Sequence, residues 1–162
     1  MDEMKRVRLD RMRYTKNSLS SNLALLSIVF NVLYFVSVYE SDVGSWYYSL
    51  LIGVSIVYNL LFMLMAFLSS EGVKNYRIGY AWFLLALGAG QIARIFILPA
   101  SAYAATVTIK KITYPVMQTQ QFVLVVLWLC LSAACCFGAG VIGVRRSRML
   151  STYLASLDEK RA

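Results

Sequence analysis

Hydrophobic residues in this chain come in four long runs, Leu19–Tyr39, Tyr48–Ser69, Gly79–Leu98 and Phe122–Val144, separated by shorter polar stretches. Each run matches the roughly 20 apolar residues an α-helix needs to cross a bilayer. Together they contain one formal charge, Arg94. Stretches such as Leu60–Leu68 lack period-two alternation, so the strands of a closed barrel, the other backbone arrangement that lipid tolerates, do not fit. The pattern predicts an all-α protein, an integral membrane bundle of four transmembrane helices over 19–144. A basic segment at 1–18 precedes it and an amphipathic tail at 145–162 follows.

The connectors differ in kind. Loop one, Glu40–Tyr47, and loop two, Ser70–Ile78, are short, which makes the spans on either side antiparallel neighbours. Trp46, Tyr47 and Tyr48 form an aromatic anchor at the outer interface. Loop three, Pro99–Gln121, is longer than most structureless connections. It holds β-branched stretches, Thr106–Ile109 and Ile112–Tyr114, on either side of Lys110 and Lys111. A small external hairpin or a surface-lying segment is expected there, either as a contact site or as a passive connector. In the tail, Met149, Leu150, Tyr153, Leu154 and Leu157 fall on one helical stripe. This reads as a continuation of the fourth helix, lying on the interface or docking on a partner. Before the first span, Met4, Val7, Leu9, Met12 and Tyr14 share no single face, so the case for a surface helix there is weak.

Charge changes the picture by its placement. The net charge is +8, and Lys5, Arg6, Arg8, Arg11, Arg13, Lys16, Lys74, Arg77, Arg145, Arg146, Arg148, Lys160 and Arg161 all fall on one side of the predicted membrane. Only Lys110 and Lys111 fall on the other, beside Glu40 and Asp42. The positive-inside rule puts both termini in the cytoplasm of a plasma (inner) membrane. Arg11, Arg13, Lys16, Arg145, Arg146 and Arg148 are expected at the membrane surface, where each gains about 1 kcal/mol beside anionic lipid. No nucleic-acid motif accompanies them, so no specific nucleic-acid partner is expected. The first apolar run exceeds the roughly 7–15 residues of a signal peptide, and no small-x-small cleavage site follows.

Polar residues inside the spans are the candidate site. Arg94 is expensive in lipid and marks a partner, cavity or pathway; the alternative is that it snorkels to the outer headgroups or pairs with Glu40 or Asp42. Gln91 and Gly88 share its face. Asn31 and Asn59 lie at matching depth on neighbouring helices, with Ser27 and Ser55 four residues before them. They fit interhelical hydrogen bonding, or the lining of a polar path. Ser132, Cys136 and Gly140, with Ala139 and Gly143, form a small-residue stripe on the fourth span, which lets helix backbones approach closely inside the chain or in a partner.

Catalytic chemistry is hard to assemble. There is no histidine, and none of the eight acids lies in a span, which argues against a proton relay. Cys130, Cys135 and Cys136 have neither CxxC nor zinc spacing. Met63 and Met65 read as packing. No enzyme, cofactor or metal is expected. The sequence favours a non-catalytic accessory or scaffold subunit of a larger membrane transport complex. The alternative is a small homo-oligomeric channel or carrier with a polar path near Arg94, Gln91, Asn31 and Asn59. The expected partners are the bilayer and either other membrane subunits in a hetero-complex or copies of this chain.

Overall fold

A computed structural model describes residues 3–39, 46–109 and 112–159, apart from the side chains at 5, 46–49, 52, 107 and 109. Glu40, Asp42, Lys110, Lys111 and the side chains of the Trp46–Tyr48 anchor lie outside what is described. The elements in order are α1 (Glu3–Tyr14), α2 (Ser18–Tyr39), α3 (Trp46–Lys74), α4 (Ile78–Ile97), α5 (Pro99–Ala104), β1 (Thr106–Ile109), β2 (Ile112–Pro115) and α6 (Thr119–Asp158). Four of these helices, α2, α3, α4 and α6, are long and apolar enough to cross a membrane. They stand in a ring in the order α2, α3, α4, α6, each packed on the next, with α6 in closest association with α2 and α4.

Two helices outrun their hydropathy. α3 continues past Ser69 to Lys74, so loop two shrinks to a tight turn. Its design is visible in the backbone, because the last four carbonyls of a helix need partners from outside it. Glu71 O accepts from Asn75 Nδ2 at 3.0 Å. Gly72 O accepts from Arg77 N and Val73 O from Tyr76 N, both at 3.1 Å, while Lys74 O accepts from Asn17 N at 2.9 Å. This is a Schellman closure, and its left-handed position, usually glycine, is Tyr76 at φ 57°. The fourth span likewise continues through Arg145–Arg148 to Asp158 as one helix of 40 residues, in line with the tail pattern.

The N-terminal segment is more ordered than its apolar pattern foretells. α1 forms because its residues are good helix formers, with Glu3 in the first turn and Arg11 and Arg13 in the last, charges that suit the helix dipole. It packs on the end of α6. There Tyr153, buried within the tail stripe, donates its hydroxyl to Asp10 Oδ1 at 3.0 Å. Burial and that carboxylate hold the Tyr153 hydroxyl above its ordinary pKa of 10. Of the rest of the stripe, Met149 and Leu154 are exposed, while Leu150 and Leu157 are half-buried.

Loop three contains α5 and an antiparallel hairpin in which Val107 pairs with Tyr114 and Thr108 with Thr113. The hairpin is exposed along β2 and sits over a small apolar cluster of Ala102, Val116 and Met117. Tyr103 stacks on Phe122 beside it, ring centroids 4.5 Å apart.

The small-residue stripe has its partners within the chain. A Cβ on Gly140 would stand 2.7 Å from Leu85 and 2.9 Å from the Ala81 carbonyl oxygen, and one on Gly143 would stand 2.8 Å from Ala81 Cβ. Ser20 Oγ donates to Ala139 O at 2.6 Å across the α2–α6 contact. Cys136 is buried with Phe62 and Ala66. At the stripe α6 therefore approaches α2 and α4 closely because only small side chains stand between them.

Candidate functional site

Between the apolar cluster around Ala24, Leu84 and Ala139 and the one around Val38, Leu98 and Val125, the ring of helices encloses a polar centre. Arg94, from α4, is 5% exposed. It therefore does not snorkel out of the bundle; its guanidinium is held inside by three helices. Nη1 donates to Asn59 Oδ1 on α3 at 2.7 Å and, more weakly, to Asn31 Oδ1 on α2 at 3.4 Å. Nη2 donates to Ser55 O at 3.2 Å and to Ser55 Oγ. The guanidinium carbon lies 4.2 Å from the ring centroid of Tyr34 and 4.8 Å from that of Tyr58, so two π-faces also stabilise the cation.

The cation sets the direction of the whole network. Arginine only donates, so both asparagines must turn their carbonyl oxygens toward it. With Asn31 Oδ1 fixed as an acceptor, Gln91 has to offer its amide nitrogen, and Nε2 reaches Asn31 Oδ1 at 2.9 Å and Ser132 Oγ at 3.3 Å. Ser132 Oγ in turn donates to Ser27 O at 3.0 Å, and Ser27 Oγ to Ala24 O at 2.7 Å. One guanidinium thereby polarises a chain that runs from α3 through α4 to α2 and α6. Within this chain of amides, Asn31 Nδ2, Asn59 Nδ2 and Gln91 Oε1 are buried without a hydrogen-bond partner among the described residues.

All four residues singled out from the sequence for ligand or partner contact, Arg94, Gln91, Asn31 and Asn59, meet at this one site. Ser132 of the packing stripe joins them. Tyr34 and Tyr58 were not anticipated. Their signal is spacing, since Tyr34 falls three residues after Asn31 and Tyr58 three after Ser55, on the same helical faces. What the arrangement can do chemically is bind and orient, because arginine keeps its proton. Among the described residues, no group of three His, Cys, Asp or Glu is placed to hold a metal.

The chain matches no protein-family model, no curated protein and no solved structure.

The basic residues expected at the membrane surface divide into two groups. Arg11, Lys16, Arg145 and Arg146 line one cleft between α1 and the base of α6. Arg13 instead pairs with Asp10 at 3.5 Å, and Arg148 sits 6.0 Å over the ring of Trp82. Arg146 Nη1 donates to Asn17 Oδ1 at 2.9 Å. Asn17 is fully buried and was not foreseen, being one short polar residue among many at the end of a charged segment.

Proposed function

We propose that this protein is a non-catalytic accessory or scaffold subunit of a larger membrane transport complex, inserted with both termini in the cytoplasm of a plasma (inner) membrane. The observation that carries the reading is the inward use of its polar and close-packing residues. Arg94 and Gln91 bond to groups of the chain itself, and Gly140 and Gly143 seat α6 against α4 of the same chain. Such a bundle acts through its outside. Its available surfaces are the basic end, the exposed hairpin and the outer face of α3, where Leu50, Val54, Val57 and Leu61 are exposed. The orientation rests on the basic bias of the end where α1 meets α6.

The test is mild-detergent isolation of the tagged protein from its native membranes after brief crosslinking. The expected result is stoichiometric recovery of a polytopic transport protein. Recovery as a lone monomer overturns the proposal. For the orientation, Ser156→Cys in a cysteine-free background is expected to label only from the inside of sealed cells and Thr113→Cys only from the outside.

One observation favours a second reading, a homo-oligomeric channel or carrier. Asn31 Nδ2, Asn59 Nδ2 and Gln91 Oε1 are buried polar atoms without partners beside a fixed cation, and such atoms are costly unless something visits them. Reconstituted protein would then lose solute flux on Arg94→Ala, and unchanged flux would refute this reading.

A further inference from the structure

The cleft between α1 and the base of α6 has a volume of about 590 Å3. Five cations reach it: Arg8 and Arg11 from α1, Lys16 from the linker, and Arg145 and Arg146 from α6. No acid lines it. The acids nearest in sequence to its walls are engaged elsewhere, Asp10 with Arg13 and with the Tyr153 hydroxyl, and Glu71 with Lys74 at 2.7 Å. Among the described residues, none of the five cations has a carboxylate within ion-pair distance. Converging positive charges repel one another, and an anion between them relieves that cost.

The walls say what kind of anion. Leu19, in the first turn of α2, Ile142, near the end of the apolar run of α6, and Met149 line the same cleft as the cations. The cleft therefore straddles the level at which the spans begin and presents apolar surface beside charge. A free phosphate has no use for the apolar wall, whereas a phospholipid offers a phosphate and the start of its acyl chains in that order. Five cations also exceed what one negative charge requires.

The cleft is built rather than incidental. Its Arg146 wall is held by the buried Asn17, whose backbone N–H is bound to Lys74 O at the end of α3. Its rim includes Tyr76, the residue kept at positive φ where glycine is the usual choice, and a strained non-glycine position is a common mark of a functional surface.

We infer that this cleft is a stoichiometric binding site for the headgroup of an anionic phospholipid carrying two or more negative charges, with Arg8, Arg11, Lys16, Arg145 and Arg146 as its phosphate ligands. This is independent of which transport assembly, if any, the protein serves.

The experiment places the full chain in phosphatidylcholine nanodiscs containing a small fraction of cardiolipin, or phosphatidylglycerol at matched total charge. Lipid retained per protein is read by native mass spectrometry, and affinity by titration. One cardiolipin per chain is expected, held in preference to phosphatidylglycerol. Arg11→Gln with Arg145→Gln should lower its affinity about 30-fold, since each juxtamembrane cation contributes about one power of five to anionic lipid binding. Arg13→Gln with Lys74→Gln removes the same charge outside the cleft and should change affinity by no more than about twofold. Equal losses in both pairs, or no preference for cardiolipin, overturn the inference. So does displacement of the lipid by millimolar pyrophosphate, because the cleft then recognises free phosphate. A circular dichroism melt of both double variants shows that the fold is intact in each.

Discussion

Replacing Asn59 by leucine removes the shortest acceptor of the Arg94 guanidinium, the 2.7 Å bond across α3 and α4, while the cation stays buried. Interhelical hydrogen bonds in bilayers average about 0.6 kcal/mol and reach about 1.7 kcal/mol, and bonds to charged groups lie near 1.5–3 kcal/mol. The Arg94 bond belongs at the upper end of the first range, because it is a short bond to a charge, and losing it leaves the longer contacts to Asn31 and the Ser55 carbonyl in its place. Asn59→Leu should therefore destabilise the bundle by about 2 kcal/mol. Arg94→Met removes the cation and its desolvation cost together, and replacing a buried charge with an apolar residue of similar length is often neutral. The double variant should recover most of the loss, giving a coupling energy of about 1–2 kcal/mol. The assay is reversible unfolding of the full chain in mixed micelles, followed through tryptophan fluorescence, on the wild type, both single variants and the double. Additive effects, with coupling under about 0.3 kcal/mol, would refute the view that Arg94 depends on Asn59.

Three further outcomes follow from the geometry. Gly140→Ala forces a Cβ against the Ala81 carbonyl at 2.9 Å, while Gly138→Ala meets only Leu23 at 3.6 Å. The first should cost about 1–3 kcal/mol and the second should be neutral or slightly stabilising, both read by the same unfolding assay. Tyr76→Gly relieves the left-handed strain at the α3–α4 turn and should raise stability by up to about 1 kcal/mol, seen as a higher melting temperature. Tyr153→Phe frees Asp10 from α6, so amides of α1 should exchange faster with solvent. In the wild type, the raised ionisation of Tyr153 means this latch is fully present below pH 10 and is lost as pH rises through the tyrosine's folded-state value.

The four long apolar helices were legible from apolar run length because lipid permits so few backbone arrangements. The first and third spans match α2 and α4 to within a residue or two. The second was set too short because hydropathy falls at Ser70, whereas the helix goes on to a turn closed by Asn17, a contact between residues far apart in sequence. The members of the polar centre were legible as polar residues on apolar helices. Their convergence was legible only for Asn31 and Asn59, whose helices had to be neighbours. For Arg94 the sequence leaves burial and snorkelling both open, because it stands near a helix end. Sequence alone does not show that Asn59, Ser55 and two tyrosine faces all point inward at its depth. The small-residue stripe announced a close approach without naming the other party, since Ala81 and Leu85 carry no pattern that marks them as its complement.

The uninterrupted course of α6 has a mechanical consequence. Its 40 residues make a rod of about 60 Å, roughly twice the hydrocarbon thickness of a bilayer. The apolar run ends at Val144, so the last third of the rod lies beyond the predicted span and, with no glycine or proline after Gly143, has no hinge. A tilt of about 5° within the bundle moves its far end by roughly 5 Å. α1 is strapped to that lever at Asp10, and the segment after it at Asn17, so the two segments swing as one arm. Small angular changes among helices in the membrane thus arrive at the surface enlarged, as displacements of a size a docked protein can feel.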